Sequence, residues 1–305
     1  MNVRKRWREL LKTPGLTLVP GAYDALSARI IEAQGFEAIV GGGYAAVGSL
    51  LAEPDGGQSN VRDYGDHYAR MCDAVNIPVY VDADTGFGGV HNVRRMVRIF
   101  ERAGVAGLFI SDQVFPNRCG YMPGKSVVSA EEMLARLNAA LDARTDPDMF
   151  IVARTDAKQI ISPEEALERC HMALEAGVDM AKPHGFDSLE DFERVKRELP
   201  PPYMATLSHA AGKWAVTLDQ LNKLGVTAVS FPSAALFAAV GGVARAMQAL
   251  KRDKSFDAVA NELIPLDGYY DVVGFKKFND QERQYVEKGE KIAARRRQKK
   301  PAAAE

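Results

Sequence analysis

Short apolar runs, rich in valine and isoleucine, alternate along this chain with longer segments whose apolar residues recur at helical spacing. Eight such runs can be counted, at residues 16–19, 38–40, 79–82, 107–110, 150–154, 180–182, 203–207 and 228–231. The helical segments between them span residues 23–34, 61–75, 90–103, 130–143, 163–176, 189–199 and 217–224. This alternation is typical of a parallel sheet whose strands are connected by crossover helices.

Glycine and serine mark the ends of several of these helices. Gly104, Gly177 and Gly225 each follow the last helical turn and precede a valine, where a left-handed C-cap is needed before a new strand. Ser162 precedes a proline and two glutamates, which is a good helix-start signal. Eight strand–helix units, with no GxGxxG after Val19, favour a closed barrel over a doubly wound open sheet.

The chain is long enough for one such barrel. It has 305 residues, 47% of them hydrophobic, and a barrel of roughly 250 residues counts as one domain. We predict an α/β fold, a (β/α)8 TIM barrel with C-terminal helices at residues 1–290, followed by a basic, disordered tail at residues 291–305. The segment 233–250 is apolar almost all round, so the barrel or another subunit must cover it.

Charge and composition favour a small-molecule partner. Lysine and arginine number 39 against 40 aspartates and glutamates, so no overall field attracts nucleic acid or anionic lipid. No continuous apolar region indicates a signal peptide, and no stretch approaches the roughly 18 apolar residues of a membrane span. We therefore expect a cytoplasmic protein. Cys72, Cys119 and Cys170 are too few and too irregularly spaced for a disulfide framework or a zinc site.

Polar residues at the predicted strand ends need an explanation, because the active site of such a barrel lies at the C-terminal ends of its strands. Asp82 and Asp84 end the third strand on one side of an extended chain, and glycines follow them. Hard oxygen ligands in an open cleft suit magnesium or manganese. By themselves, the two residues are equally well interpreted as aspartates of a structural turn.

The loop after the fourth strand combines Arg118, Cys119 and Lys125 with several glycines and prolines. A cysteine beside cations has a lowered pKa and can exchange a proton, so we interpret this loop as a mobile lid with one reactive group. An ordinary exposed loop is the alternative. Arg154 ends the fifth strand, where its guanidinium can hold a carboxylate.

Histidines follow the next two strands. His184, after the sixth strand, is a candidate for a base, a metal-shell donor or a hydrogen-bond partner, and the residue type alone leaves these three roles open. The seventh strand is followed by Ser208 and His209.

Four phrases of the chain closely resemble the isocitrate lyase and phosphoenolpyruvate mutase superfamily: PGAYDALSARIIEAQGFEAI, PVYVDADTGFGG, DQVFPNRCGYMPGKSVVSAEEM and FIVARTDA. They are most similar to its short methylisocitrate lyase branch, and the resemblance extends from about Pro20 to Phe231. It implies the barrel fold and a magnesium (or manganese) ion that Asp82 and Asp84 organise, directly or through water. Asp55 would support the water shell of the metal.

The same resemblance implies which residues handle the substrate. It assigns the acid/base role of the lyases to Cys119, next to Gly120 in the family's Cys-Gly dipeptide. The family arginines correspond to Arg154 and Arg118. The backbone amides after the second strand, which bind substrate in the family, correspond to Gly42, Gly43 and Tyr44. Members of this family form tetramers, so the resemblance also implies a homotetramer.

Several positions depart from the family pattern. Ser111 and His184 replace glutamates, Asn117 replaces a lysine, Tyr121 replaces a histidine, and the family serine is missing at Gly42. We retain His184 as a catalytic candidate and Tyr121 as a substrate-binding one. Losing two carboxylates makes the outer shell of the metal less negative, and losing the histidine makes the neighbouring thiol less acidic. We therefore expect a substrate other than methylisocitrate itself.

The leading functional hypothesis is a carbon–carbon lyase for a methylisocitrate-like or dimethylmalate-like 2-hydroxy-polycarboxylate, which retro-aldol cleavage converts into a 2-oxo acid and a second carboxylate. Cys119 would protonate the carbanion, while the metal and Arg154 hold the hydroxy-acid end. One alternative is decarboxylation or hydrolysis of an oxaloacetate-like acid, or phosphonate rearrangement, at the same metal-enolate site. Another is a catalytically silent barrel that binds a metabolite.

Overall fold

The computed structural model describes residues 2–208 and 212–298, and eight parallel strands form the centre of this part of the chain. The strands are β1 Thr17–Pro20, β2 Ile39–Gly41, β3 Val79–Asp82, β4 Gly107–Ser111, β5 Phe150–Thr155, β6 Met180–Pro183, β7 Met204–Thr206 and β8 Ala228–Phe231. The helices are α1 Val3–Lys12, α2 Ala25–Ala33, α3 Gly43–Leu51, α4 Val61–Ala74, α5 Val90–Ala103, α6 Ala130–Ala143, α7 Ala157–Ile160, α8 Pro163–Glu175, α9 Leu189–Glu198, α10 Leu218–Leu224, α11 Ala234–Asp253, α12 Leu266–Val273 and α13 Phe275–Gln298. A 3₁₀-helix, Asp257–Glu262, lies between α11 and α12.

The strands follow one another around a barrel. From β2 to β6 they pair in chain order, and β1, β8 and β7 form a second set of ladders. A parallel bridge between Gly21 and Val40 connects β1 to β2. Between β6 and β7 the described residues form no backbone ladder, and a hydrogen bond from Lys182 to Thr206 crosses this seam. The predicted (β/α)8 TIM-barrel fold is therefore confirmed.

Helix α1, which the sequence analysis does not predict, packs at the N-terminal end of the barrel. Its Trp7 is completely buried and stacks on Tyr80 of β3, with 5.5 Å between the ring centroids. Arg4 and Arg8 form ion pairs with aspartates in the connections that precede β5 and β6. These contacts cover the end of the barrel that is opposite to the C-terminal strand ends.

The predicted outer helices and their caps are present. Each predicted strand or helix end agrees with the structure to within two residues. Gly104 and Gly225 are left-handed C-caps with φ of 89° and 83°, and the Ser162 side chain accepts from the amide of Glu165. Between helices and strands lies an apolar layer that includes Phe100, and burying such a side chain contributes about 1.5–3 kcal/mol.

After β8 the chain is mostly helical, and it divides into two compact units between Val243 and Ala244. Helix α13 continues to Gln298, so residues 291–298 are helical where the sequence analysis predicts a disordered tail. The reason is that alanine, arginine and glutamine have high helix propensity, and arginines suit the C-terminal end of a helix. The remainder of the predicted tail, residues 299–305, lies outside the described residues. None of the described helices combines the length and apolar character needed to cross a membrane.

Candidate active site

A cavity of about 300 Å³ lies at the C-terminal ends of the barrel strands. The loop between β4 and α6, residues 112–129, contributes to its wall and is called the cysteine loop below. Every site residue that the sequence analysis proposes lines this cavity: Gly42, Gly43, Tyr44, Asp55, Asp82, Asp84, Arg118, Cys119, Gly120, Tyr121, Arg154 and His184. Ser111, Asn117 and Ser208 line it too, whereas His209 lies outside the described residues.

Asp82 and Asp84 are held by backbone amides and by a side chain of the cysteine loop. Asp82 ends β3, and its Oδ1 and Oδ2 accept from the amides of Asp84 and Gly43 over 2.9 and 3.1 Å. Asp84 has a positive φ of 48° in the turn that follows. Its Oδ1 accepts from Nδ2 of Asn117 over 2.8 Å. Asn117, which replaces the family's lysine, thus connects the cysteine loop to this acidic turn.

Three buried aspartates lie close enough to affect one another. Burial raises the pKa of Asp55 to about 6, and the negative charge of Asp82 adds to this effect. Burial also raises the pKa of Asp82, and it raises that of Asp84 together with the charges of Asp82 and Asp55. In addition, Oδ1 of Asp55 and Oδ2 of Asp84 are buried without a hydrogen-bond partner among the described residues. A bound cation would relieve both the repulsion and the unsatisfied oxygens.

The donors in this part of the cavity fit a hard divalent cation. Among residues 2–208 and 212–298, no three acidic, histidine or cysteine side chains converge as a complete ligand set. Magnesium commonly takes only one or two carboxylates and keeps several waters, so an incomplete protein cage suits it. Asp82 and Asp84 are the residues that could bind such an ion, with Asp55 within reach of its waters.

Arg154 ends β5 beside the cavity and is fixed by Asp156. Its Nε and Nη2 donate to the two carboxylate oxygens of Asp156 over 3.0 and 3.1 Å. Asp156 also accepts from Lys125 Nζ over 3.2 Å and from Ser111 Oγ over 3.3 Å. Although burial alone would raise the pKa of Asp156, the guanidinium of Arg154 lowers it well below its usual range. The pair is therefore ionised at neutral pH.

The cysteine loop brings Cys119 into the cavity through backbone contacts. The amide of Cys119 donates to the carbonyl of Asp55 over 3.2 Å. Arg118, by contrast, is exposed and donates to the carbonyl of Pro123 within the same loop. Burial and the charge of Asp55 raise the pKa of the Cys119 thiol, and Arg154 only partly opposes this. The lowered thiol pKa that the sequence analysis predicts is therefore wrong, because burial and a carboxylate outweigh the cations.

Gly120 packs against Arg154 and His184. A Cβ atom at Gly120 would lie within 2.5 Å of Nη2 of Arg154 and of Nε2 of His184, so any other residue would displace one of them. Burial, followed by the charge of Arg154, lowers the pKa of His184 to about 3, so its imidazole is neutral. The ring of Tyr121 contacts the ring of His184 edge to face at 5.6 Å. The loop thus closes over His184 through two successive residues.

Gly42, Gly43 and Tyr44 lie at the N-terminal end of α3, where free backbone amides favour an anion. The amide of Gly43 is already used by Asp82. Tyr44 is partly exposed and contacts Phe237 edge to face at 5.9 Å.

Apart from Ser208, the sequence analysis does not identify the residues on the other wall of the cavity. Four hydroxyl side chains form it, and we call them the hydroxyl wall: Thr206, Ser208, Ser230 and Ser233. Lys182 lies beside them, and burial together with the charge of Arg154 lowers its pKa to about 7. One signal was available, because Lys182 lies near the end of β6 and His184 follows two residues later, where alternate residues of an extended chain share a face. The approach of β7 to β6 was not visible in the sequence.

Comparison with known proteins gives consistent matches. Residues 7–251 match the family model described as phosphoenolpyruvate phosphomutase. The chain is 34% identical over 286 residues to 2,3-dimethylmalate lyase of Eubacterium barkeri, which covers 94% of this chain and 99% of that protein. It is 33% identical over 288 residues to 2-methylisocitrate lyase of Aeropyrum pernix, with 94% and 92% covered.

Solved structures are similar over nearly the whole chain. Oxaloacetate acetylhydrolase in complex with 3,3-difluorooxalacetate superposes with a TM-score of 0.88 at 29% identity, covering 93% of this chain and 97% of that chain. Phosphonopyruvate hydrolase in complex with oxalate and Mg²⁺ superposes with a TM-score of 0.83 at 26% identity, covering 94% and 100%. The similar proteins thus carry both lyase and hydrolase names.

Proposed function

This chain belongs to the phosphoenolpyruvate mutase and isocitrate lyase superfamily, and we propose that it cleaves a small 2-hydroxy-polycarboxylate into a 2-oxo acid and a second carboxylate. It is an enzyme of the carbon–carbon lyase type of that superfamily. Its substrate and the roles of its residues are what we propose.

The observation that carries the proposal is the position of Cys119. It lines the same cavity as Arg154 and the acidic turn that contains Asp82 and Asp84. A lyase needs a proton donor near the carbon that is released, in addition to groups that hold the hydroxy-acid end. The raised pKa of the thiol keeps it protonated at neutral pH, which suits a donor.

Each residue then has a defined task in retro-aldol cleavage. The 2-hydroxyl gives its proton to a base, for which the Asp55 carboxylate, ionised at neutral pH with a pKa of about 6, is available in the cavity. The 2-oxygen becomes the carbonyl oxygen of the 2-oxo acid, the adjacent C–C bond breaks, and its electron pair remains on the departing carbon. Arg154 binds the carboxylate next to the hydroxyl, in an orientation fixed by Asp156. Cys119 gives its proton to the departing carbon, and Gly120 and Tyr121 exclude water. A bound divalent cation would supply Lewis-acid stabilisation of the negative charge on the 2-oxygen.

Magnesium or manganese is the metal that we propose, with Asp82 and Asp84 as ligands and Asp55 in support. Carboxylate oxygens at an open site suit these hard ions. The similar phosphonopyruvate hydrolase was solved with Mg²⁺, which supports the choice.

A homotetramer is part of the same proposal. Helix α11 exposes Val240 and Val243, and α13 exposes Phe278, Tyr285 and Ile292, each at more than half of its surface. Apolar surface of this kind on a helix marks a contact with another chain. We propose that these C-terminal helices pack on another subunit, and that the enzyme works in the cytoplasm as its composition predicts.

A second candidate activity is hydrolysis or decarboxylation of an oxaloacetate-like acid. The changes at Ser111, Tyr121 and His184, together with the similarity to oxaloacetate acetylhydrolase, favour it. A panel of 2-hydroxy dicarboxylates and tricarboxylates, and oxaloacetate, assayed with magnesium, separates the two. The lyase releases a 2-oxo acid from a hydroxy acid. Turnover of oxaloacetate alone, with no hydroxy acid cleaved, would contradict the lyase.

A further inference from the structure

Lys182 belongs to a row of side chains that crosses five neighbouring strands. In the parallel register, Ser111 of β4 pairs with Arg154 of β5, and Arg154 pairs with Lys182 of β6. Thr206 of β7 pairs in turn with Ser230 of β8. The hydrogen bond from Lys182 to Thr206 connects the two halves of the row. All five side chains line the cavity.

Because this row contains Arg154 and Lys182, the cavity has cationic side chains in one part of its wall and the aspartates of the acidic turn in another. Asp82 ends β3, and in a barrel of eight strands β3 lies across from β7. The acidic turn therefore occupies one side of the cavity and the hydroxyl wall occupies the other, with Lys182 of β6 beside the hydroxyl wall and Arg154 of β5 between the two sides. A ligand could hold its first acidic group near the acidic turn and Arg154. The rest of such a ligand would then extend toward Lys182 and the hydroxyl wall.

The ammonium group of Lys182 has unused donors. It gives one hydrogen bond to Thr206, whose hydroxyl lies 2.9 Å from that of Ser230, and Ser230 donates to a backbone carbonyl. An ammonium group has three donors, so two are left for the cavity. Lys125 and Lys158 pair with aspartates, whereas Lys182 forms no ion pair with any described residue.

A buried cation without a counter-ion is unfavourable. Burial and the charge of Arg154 lower the pKa of Lys182 to about 7. Such a lowered pKa is expected for a buried ammonium group that has no counter-ion. His184 cannot supply the missing negative charge because its imidazole is neutral. An anionic group of a ligand would pair with Lys182 and would accept from its two unused donors.

We infer that Lys182, oriented by Thr206, binds the second acidic group of the substrate and makes the enzyme select dicarboxylates over monocarboxylates. The inference rests on the proposed function only in taking the substrate to be a 2-oxo or 2-hydroxy acid. It concerns the same cavity, and it assigns a specificity role to a residue outside the metal-binding and proton-donating groups. A cavity of about 300 Å³ has room for a small dicarboxylate.

Binding without turnover tests this assignment. Malate, in both enantiomers, serves as the dicarboxylate probe and lactate as the monocarboxylate, each titrated into the magnesium-loaded protein by calorimetry. Lys182→Met keeps the length of the side chain and removes the charge. It should weaken malate binding by about 10- to 100-fold, as expected for losing a hydrogen-bonded charge pair, and should leave lactate binding unchanged. Lys182→Arg should keep most of the preference for malate.

A matched control separates binding from structure. Thr206→Val removes the bond across the β6–β7 seam but keeps the charge, so it should cost much less malate affinity than Lys182→Met. Equal losses for malate and lactate in Lys182→Met, or no loss for either, would overturn the inference, as would wild-type protein that does not prefer malate. If Lys182→Met does not fold, Lys182→Gln is judged by the same criteria.

The two proposals fail separately. A protein that prefers malate through Lys182 but cleaves no hydroxy acid refutes only the lyase. A lyase whose dicarboxylate preference survives in Lys182→Met refutes only the role of Lys182.

Discussion

Arg154 and Asp156 form a two-point ion pair beside the cavity, with Nε and Nη2 of the arginine 3.0 and 3.1 Å from the two carboxylate oxygens. Asp156 is completely buried, and it also accepts from Lys125 of the cysteine loop. One carboxylate therefore orients the arginine that we expect to bind substrate and also holds the loop that carries Cys119. Asp156 is a positioning residue, since it reaches the substrate only through these partners.

Asp156→Asn should destabilise the protein by about 3 kcal/mol, because removing one charge of a buried pair leaves the other unpaired. The folded-state pKa of Asp156 lies below its unfolded value, so its stabilisation is present above the unfolded pKa and is lost as the pH falls toward the folded one. Urea unfolding at neutral pH measures the difference. Glu164→Gln, at an exposed pair with Arg194, is the control and should change stability little. A fully stable Asp156→Asn protein would contradict this reading.

The selectivity for dicarboxylates should depend on pH with the sign set by Lys182. Its pKa of about 7 in the free cavity means that the ammonium form, which binds an anion, predominates below that pH. Arg154, Asp82 and Asp187 are the charged groups that act on it. The preference for malate over lactate should be largest near pH 6 and should decrease as the pH rises through 7 toward about 9. Calorimetric titrations across this range measure it, and in Lys182→Arg the preference should stay constant.

The strands could be predicted because each one is marked by the residues of its own short segment. The runs that became β3 and β8 begin and end at the predicted residues, since a buried parallel strand is a continuous apolar run bounded by turn residues. Helix α1 was missed because its buried Trp7 and Leu11 stand among six charged residues. Helix α3 was missed because it begins in a glycine-rich stretch.

The cavity was only partly predictable, since its electrostatics depend on residues far apart in the chain. Along the sequence, the charged neighbours of the Cys119 thiol are the cations Arg118 and Lys125, but folding buries the thiol and brings Asp55 close. The orientation of Lys182 depends on its hydrogen bond to Thr206, and Thr206 comes within reach only when folding places β7 beside β6. Motifs indicate which side chains reach the cavity, whereas tertiary contacts determine their charge states.

Metal removal should affect both activity and stability. The Asp55, Asp82 and Asp84 carboxylates repel one another, and a divalent cation offsets that repulsion. Chelator-treated protein should lose turnover and melt at a lower temperature, and magnesium or manganese should restore both. Asp82→Ala should abolish turnover and the metal-dependent rise in melting temperature, whereas Asp66→Ala, on the exposed face of α4, should retain them. Full activity in the strict absence of divalent metal would refute the metal assignment.

Assembly can be measured directly by sedimentation. The exposed apolar residues of α11 and α13, Val243 and Phe278 among them, should be covered in a homotetramer. At micromolar concentration the protein should sediment as a species about four times the 33.3 kDa chain mass. Phe278→Glu should shift the distribution toward smaller species, whereas Glu287→Lys, a charge change on the same helix, should not. A wild-type protein that sediments only as a monomer would contradict the proposal.

Cys119 separates the lyase from the oxaloacetate-type activity more sharply than any other described residue. Cys119→Ser keeps the size of the side chain but raises its pKa by several units, so a lyase should lose on the order of 10²–10⁴ in kcat while substrate binding persists. A decarboxylase or hydrolase that uses only the metal and Arg154 should scarcely change. Cys72→Ala, at a partly buried cysteine of α4, is the matched control and should keep its activity. If Cys119→Ser retains most of its turnover on the preferred substrate while Asp82→Ala abolishes it, the thiol is not the proton donor and the oxaloacetate-type activity becomes the better description.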